Sequence, residues 1–227
     1  MDRPFRTPQH RDALHPRLQR AAALSGLLFA ATFAAHIALA IAAGHSADRP
    51  TNLADIFVAN EPAARAIFFL LFVSVALFAP FVWGITSFMD VDDRRADPLP
   101  VFAFGACGVS LLLLALFIGG EAALAGKGAT EPPLGLAIFA TKSSFETVTD
   151  MMLATLAVAG GLMQRRTRRL PRRLGWLGIA GGGAYGVGVL SDIDVHIHSR
   201  PAEMAGVAMF ILWIVLTSVF MLRRATP

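Results

Sequence analysis

The sequence predicts an all-α protein: a polytopic transmembrane bundle of six helices with both termini on the cytoplasmic side. Three observations predict it. First, six apolar stretches fill most of the 227 residues, at 21–44, 66–89, 101–122, 134–163, 174–191 and 204–222. Most match the roughly 20 helical residues that cross a hydrocarbon core of about 30 Å, where only structures that satisfy their own backbone persist. Second, 55% of residues are hydrophobic and 16% charged, with a mean hydropathy of +0.58. Third, 15 of the 20 Lys and Arg fall in alternate connections: Arg3, Arg6, Arg11, Arg17 and Arg20 before the first stretch, Arg94 and Arg95 after the second, Arg165, Arg166, Arg168, Arg169, Arg172 and Arg173 after the fourth, and Arg223 and Arg224 after the last. Basic connections stay in the cytoplasm. The net charge of +4 is thus a topology signal that argues against a nucleic-acid partner, and the six arginines of the fourth connection suit contact with anionic lipid.

Taken in order, residues 1–20 form a basic arm, 21–222 the transmembrane domain and 223–227 a cytoplasmic tail. The first stretch exceeds the 7–15 apolar residues of a signal peptide, so it reads as a retained helix rather than a cleaved leader. Its Gly26, Ala30, Ala34, Ala38 and Ala42 recur every fourth residue, as do Gly178, Gly182 and Gly186 in the fifth. Small residues at this spacing let helix backbones approach within lipid, so both helices are expected to be close-packed, or one to mark a seam with a second copy or another membrane protein. The longest outer connection, 45–65, holds a stretch, Asn52–Ala59, suited to a short interfacial helix. Pro80 is expected to kink the second helix. Asp97-Pro98-Leu99-Pro100 and Glu131-Pro132-Pro133 punctuate the chain as helix breaks. The single Cys107 allows no intramolecular disulfide or cysteine-based zinc site and reads as a small packing residue. Trp83, Trp176 and Trp213 suit interfacial and packing roles.

Function is sought among residues that are costly in a bilayer. By helical rise, His36, Glu121, Lys142, Glu146 and Asp150 all fall in the outer half of the membrane or at its outer boundary. Lys142, Glu146 and Asp150 stack at i, i+4 and i+8. Lys142 and Glu146 form a natural pair, which leaves Asp150 needing another partner or a proton. Such a stack serves as a clasp between helices, or as a path for protons or cations.

The stretch Ser191–His198 sets Asp192, Asp194, His196 and His198 close together. As an extended segment all four share a face; as helix, Asp192 meets His196 and Asp194 meets His198. Carboxylate and imidazole together suit a transition metal at the outer face, although the spacing matches no standard zinc motif and also fits a solvated loop. Haem on His36 is disfavoured, since no second His lies clearly inside an apolar stretch. Walker, dinucleotide, nucleophile-elbow and kinase signatures are absent from the sequence.

The segment Arg169-Leu170-Pro171-Arg172-Arg173-Leu174-Gly175-Trp176-Leu177-Gly178, with Phe210-Ile211-Leu212-Trp213 and terminal Arg223-Arg224, resembles a bacterial family of six-helix integral membrane proteins catalogued only as a domain of unknown function. The resemblance covers the last third of the chain and implies no established reaction. Three function classes follow from the sequence, in this order: a binding, sensing or accessory protein of the bacterial inner membrane; a small-solute or proton-coupled transporter; and a metal-dependent enzyme acting at the outer leaflet.

Overall fold

The computed structural model describes residues 16–42, 61–88, 99–125, 132–166, 170–193 and 200–225. They form six helices: α1 (Pro16–Ala42), α2 (Glu61–Phe88), α3 (Leu99–Ala125), α4 (Pro132–Arg166), α5 (Arg172–Ile193) and α6 (Arg200–Ala225). Each apolar stretch of the sequence lies largely within one helix. Several ends extend past it, and α1 opens at Pro16, which puts Arg17 and Arg20 on its first turns. Pro at the first helical position costs nothing, because its missing N–H has no acceptor there. Among the described residues three spans, Pro16–Ala42, Arg65–Phe88 and Ala202–Ala225, are long and apolar enough to cross a membrane. Large apolar side chains including Leu28, Phe69, Phe72, Leu112 and Leu212 point outward, a surface made for hydrocarbon rather than water.

Neighbours in sequence are neighbours in space, and α6 also packs against α1. The contacts show the directions. Thr32 and Phe29 of α1 meet Ser74 and Phe78 of α2; Ala157 and Gly161 of α4 meet Gly178 and Gly175 of α5; Phe29 and Gln19 of α1 meet Phe210 and Met221 of α6. All three pairs are antiparallel. The start of α1 therefore sits beside the end of α6, where Gln19 Nε2–H donates to Met221 O at 3.0 Å and both Arg20 Nε–H and Nη2–H donate to Ala225 O at 3.1 and 2.8 Å. These bonds serve carbonyls of a last helical turn, which lack donors of their own. The end of α4, the start of α5 and both ends just described share one basic end of the bundle.

The core is aromatic and centred on α6. Trp213 is 1% exposed and crosses Phe81 of α2 edge-on at 6.3 Å and 84°, while Phe210 lies against Phe29 and Phe78. Edge-to-face rings at such spacing are favoured by their quadrupoles. Helix α3 turns Ala103, Ala106, Cys107 and Ser110 inward; Cys107 is a buried free thiol, in line with a packing role.

Close approach is sharpest between α4 and α5. A Cβ on Gly161 would stand 2.5 Å from the Gly175 carbonyl oxygen, and one on Gly175 would stand 2.5 Å from the Gly161 carbonyl. The glycine repeat of α5 lies at this packing: Gly178 and Gly182 are buried and Gly186 half-buried. The α1 repeat packs only in part, with Gly26 and Ala30 buried but Ala34, Ala38 and Ala42 exposed. A strict four-residue repeat drifts about 40° per step around a helix of 3.6 residues per turn, so its upper members leave the contact face.

Candidate functional site

Three features stand apart from the apolar packing, two polar and one a groove. Nearest the basic end, Gln164 of α4 is wholly buried. Its Oε1 accepts from Trp213 Nε1–H at 2.9 Å, and its Nε2–H donates to Thr217 Oγ1 at 2.9 Å. Both partners are on α6, so one amide bridges two helices through a donor and an acceptor.

In the far half, Tyr185 O–H of α5 donates to Asp150 Oδ1 of α4 at 2.6 Å, the length of a hydroxyl-to-carboxylate bond. Counting helical rise, Asp150 is about 24 Å from Arg166. Tyr185 is 5% exposed, and Gly206 of α6 lies directly against its backbone, where a side chain would overlap. The pair thus sits where α4, α5 and α6 converge. We expect Tyr185→Phe to lower stability by about 1–2 kcal/mol, since hydrogen bonds to charged groups are worth about 1.5–3 in water and those within membranes average less. Asp150→Asn keeps an acceptor and should lose less. Thermal unfolding in detergent reads both; a Tyr185→Phe transition identical to wild type would show that the bond ties nothing.

The third feature is a lateral groove of about 450 Å³ between α3, α4 and α5, lined among others by Phe102, Met151, Thr155, Val158, Leu162 and Gly183. Its walls are almost wholly apolar; the Thr155 hydroxyl is turned back to Met151 O at 2.8 Å.

Of the residues singled out in the sequence, Asp150 accepts from the Tyr185 hydroxyl, as described above. His36 is half-buried, and its Nδ1–H donates to Ile67 O of α2 at 3.0 Å, so the imidazole joins two helices. Glu121 falls on α3, Lys142 and Glu146 on α4 and Asp192 near the end of α5. Their side chains lie outside the described residues, as do Asp194, His196, His198, Arg168, Arg169 and the Asn52–Ala59 stretch. Among the described residues no three His, Cys, Asp or Glu side chains gather at metal-binding distance. Sequence reasoning missed Gln164, Thr217 and Tyr185 because it weighed ionisable groups and passed over neutral ones. An amide directly after an apolar stretch and the chain's single Tyr were the available signals. No protein-family model matches the chain, and no curated protein or solved structure is significantly similar to it.

Proposed function

We propose that the chain is a six-span protein of a bacterial cytoplasmic membrane, with both termini cytoplasmic, and that it works as a binding or accessory component. The observation that supports this best is where the bundle is filled and where it is open. Its middle is closed by Phe29, Phe78, Phe81, Phe210 and Trp213, while an apolar groove opens on its flank beside α4 and α5. A ligand or partner therefore meets this protein from within the bilayer, and the polar end carrying Asp150, Tyr185 and His36 faces the extracytoplasmic side. The arginines of the opposite end supply the orientation, since basic segments remain cytoplasmic.

The test combines topology with flux. In a Cys107→Ser background, single cysteines introduced at Thr167 and Lys127 are labelled in intact cells and in inverted vesicles. We expect Thr167→Cys to react only from the cytoplasmic face and Lys127→Cys only from the outer face; the reverse overturns the orientation. In proteoliposomes under a pH gradient, wild type and Asp150→Asn should leak protons equally. A flux abolished by Asp150→Asn would replace binding with transport. Near-stoichiometric transition metal that is lost in a His196→Ala/His198→Ala variant would replace it with metal chemistry.

A further inference from the structure

The groove and the basic end are parts of one continuous surface. On α4, Met151, Thr155, Val158 and Leu162 of the groove wall are followed on the same face by Arg165 and Arg166, at the three- and four-residue steps that keep side chains on one side of a helix. On α5, Leu190, Val187 and Gly183 continue through Ile179 to Trp176 and Arg172 at the same steps. At the foot of the groove the Arg165 guanidinium lies 3.9 Å over the Trp176 ring. Trp176 is 55% exposed, the placement of an interfacial aromatic. A guanidinium stacked by its face keeps its N–H groups in the ring-parallel plane, where they suit phosphate oxygens. Arg165, Arg166 and Arg172 are all exposed there.

The dimensions say what the groove takes. From Met151 to Leu162 is eleven residues of helical rise, roughly 16 Å. The groove is open along its side and its lining is almost wholly apolar, so an extended hydrocarbon chain can lie along that length. Charge then selects the head: an apolar slot that ends on a cluster of arginines complements an anion carried on a chain.

Resting on the membrane reading above, we propose that this groove seats one acyl chain of an anionic phospholipid of the cytoplasmic leaflet, with its phosphate held by Arg165 and Arg172. The chain runs up past Leu162 and Val158 toward Thr155. Gly183 leaves room for it: a Cβ there would meet nothing within 4 Å, so a larger side chain enters the groove without pushing on a backbone.

The experiment is native mass spectrometry of the full chain released from nanodiscs of phosphatidylcholine mixed with phosphatidylglycerol. Wild type should retain one phosphatidylglycerol in preference to phosphatidylcholine. Gly183→Phe should abolish retention of either lipid. Arg165→Gln/Arg172→Gln, which alters only exposed groups and keeps the fold, should cut the preference for phosphatidylglycerol about tenfold, since each basic residue near an anionic surface contributes a several-fold factor. Equal retention of both lipids by wild type, or a preference untouched by the double arginine variant, overturns the proposal. A wild-type dimer that Gly183→Phe dissociates overturns it in favour of a seam between copies. Cysteine labelling of the same samples separates the two levels of inference. Intact six-span topology without a lipid preference sinks the lipid site alone, whereas the wrong topology sinks the membrane reading as well.

Discussion

Gly161→Val should abolish the packing of α4 on α5 and with it the stable bundle. On the six-span reading proposed above there is no water to expel between these helices, so association rests on close contact and on the hydrogen bonds that contact permits. Two opposed effects set the size. Replacing a helical glycine stabilises the helix itself by up to about 1 kcal/mol. Against this, the new Cβ would stand 2.5 Å from the Gly175 carbonyl oxygen and 2.8 Å from the Ile179 nitrogen. These are backbone atoms, which cannot rotate aside as a side-chain tip can. Overpacking of well-filled interiors costs about 1–3 kcal/mol and more where the backbone must move, so Gly161→Ala should be clearly destabilising and Gly161→Val should not yield folded protein. Gly105→Ala is the control: nothing lies within 4 Å of the position, and its melting temperature should match wild type or rise. Fluorescence-detected gel filtration after a heat step reads all three. A Gly161→Val protein that survives heating like wild type would mean that the helices do not approach as described.

Gln164→Leu should produce the second largest loss, about 2–3 kcal/mol. Leu fills nearly the same volume, so packing is little changed and the polar term is isolated. Two interhelical bonds disappear; at the average of about 0.6 kcal/mol measured for such bonds in membranes they contribute only about 1. The larger part comes from Trp213, whose indole N–H is left buried without its acceptor, at about 1–3 kcal/mol. Trp213 is 1% exposed, so water cannot replace the amide. A cycle with Thr217→Val tests the arrangement. Thr217→Val alone removes one bond and should cost less than Gln164→Leu, and the double variant should cost less than the sum, because both changes break the same bond. Strict additivity would show that Gln164 and Thr217 are not coupled.

Much of the fold was legible in the sequence because apolar length is a one-dimensional property. Each stretch of the required length became a helix, and the ends moved by a few residues where flanking Pro and Arg are themselves good helix starters or finishers. The glycine repeat of α5 was legible for the same reason. The α1 repeat was legible only in its first two members, because spacing alone does not say how long two helices stay in contact. The sites were harder. That Asp150 needs a partner follows from its place in an apolar stretch, but that Tyr185 supplies it depends on the register of α4 against α5, set by the glycines along their contact. Trp213 was assigned an interfacial or packing role with no means of distinguishing it from Trp176; one became the hub of the core and the other the exposed platform for Arg165. That difference arises from which face each helix buries, and the apolar helices here are too uniformly hydrophobic for the pattern to reveal a face.

The position of α6 in the centre sets an order of events during synthesis. This helix touches α1, α2, α4 and α5, yet it leaves the ribosome after all of them. From Phe88 to Ala225 is 137 residues, so at about 5–20 residues per second the α1–α2 hairpin waits roughly 7–27 s before its partner is made. Throughout that interval Phe29, Phe78 and Phe81 face lipid or an insertion factor instead of Phe210 and Trp213. Until α6 arrives, the α1–α2 hairpin and the α3–α5 segment lack the helix that fills the space between them. A lesion in α6 should consequently leave an unassembled chain, and its phenotype should be absence of the protein rather than loss of one helix.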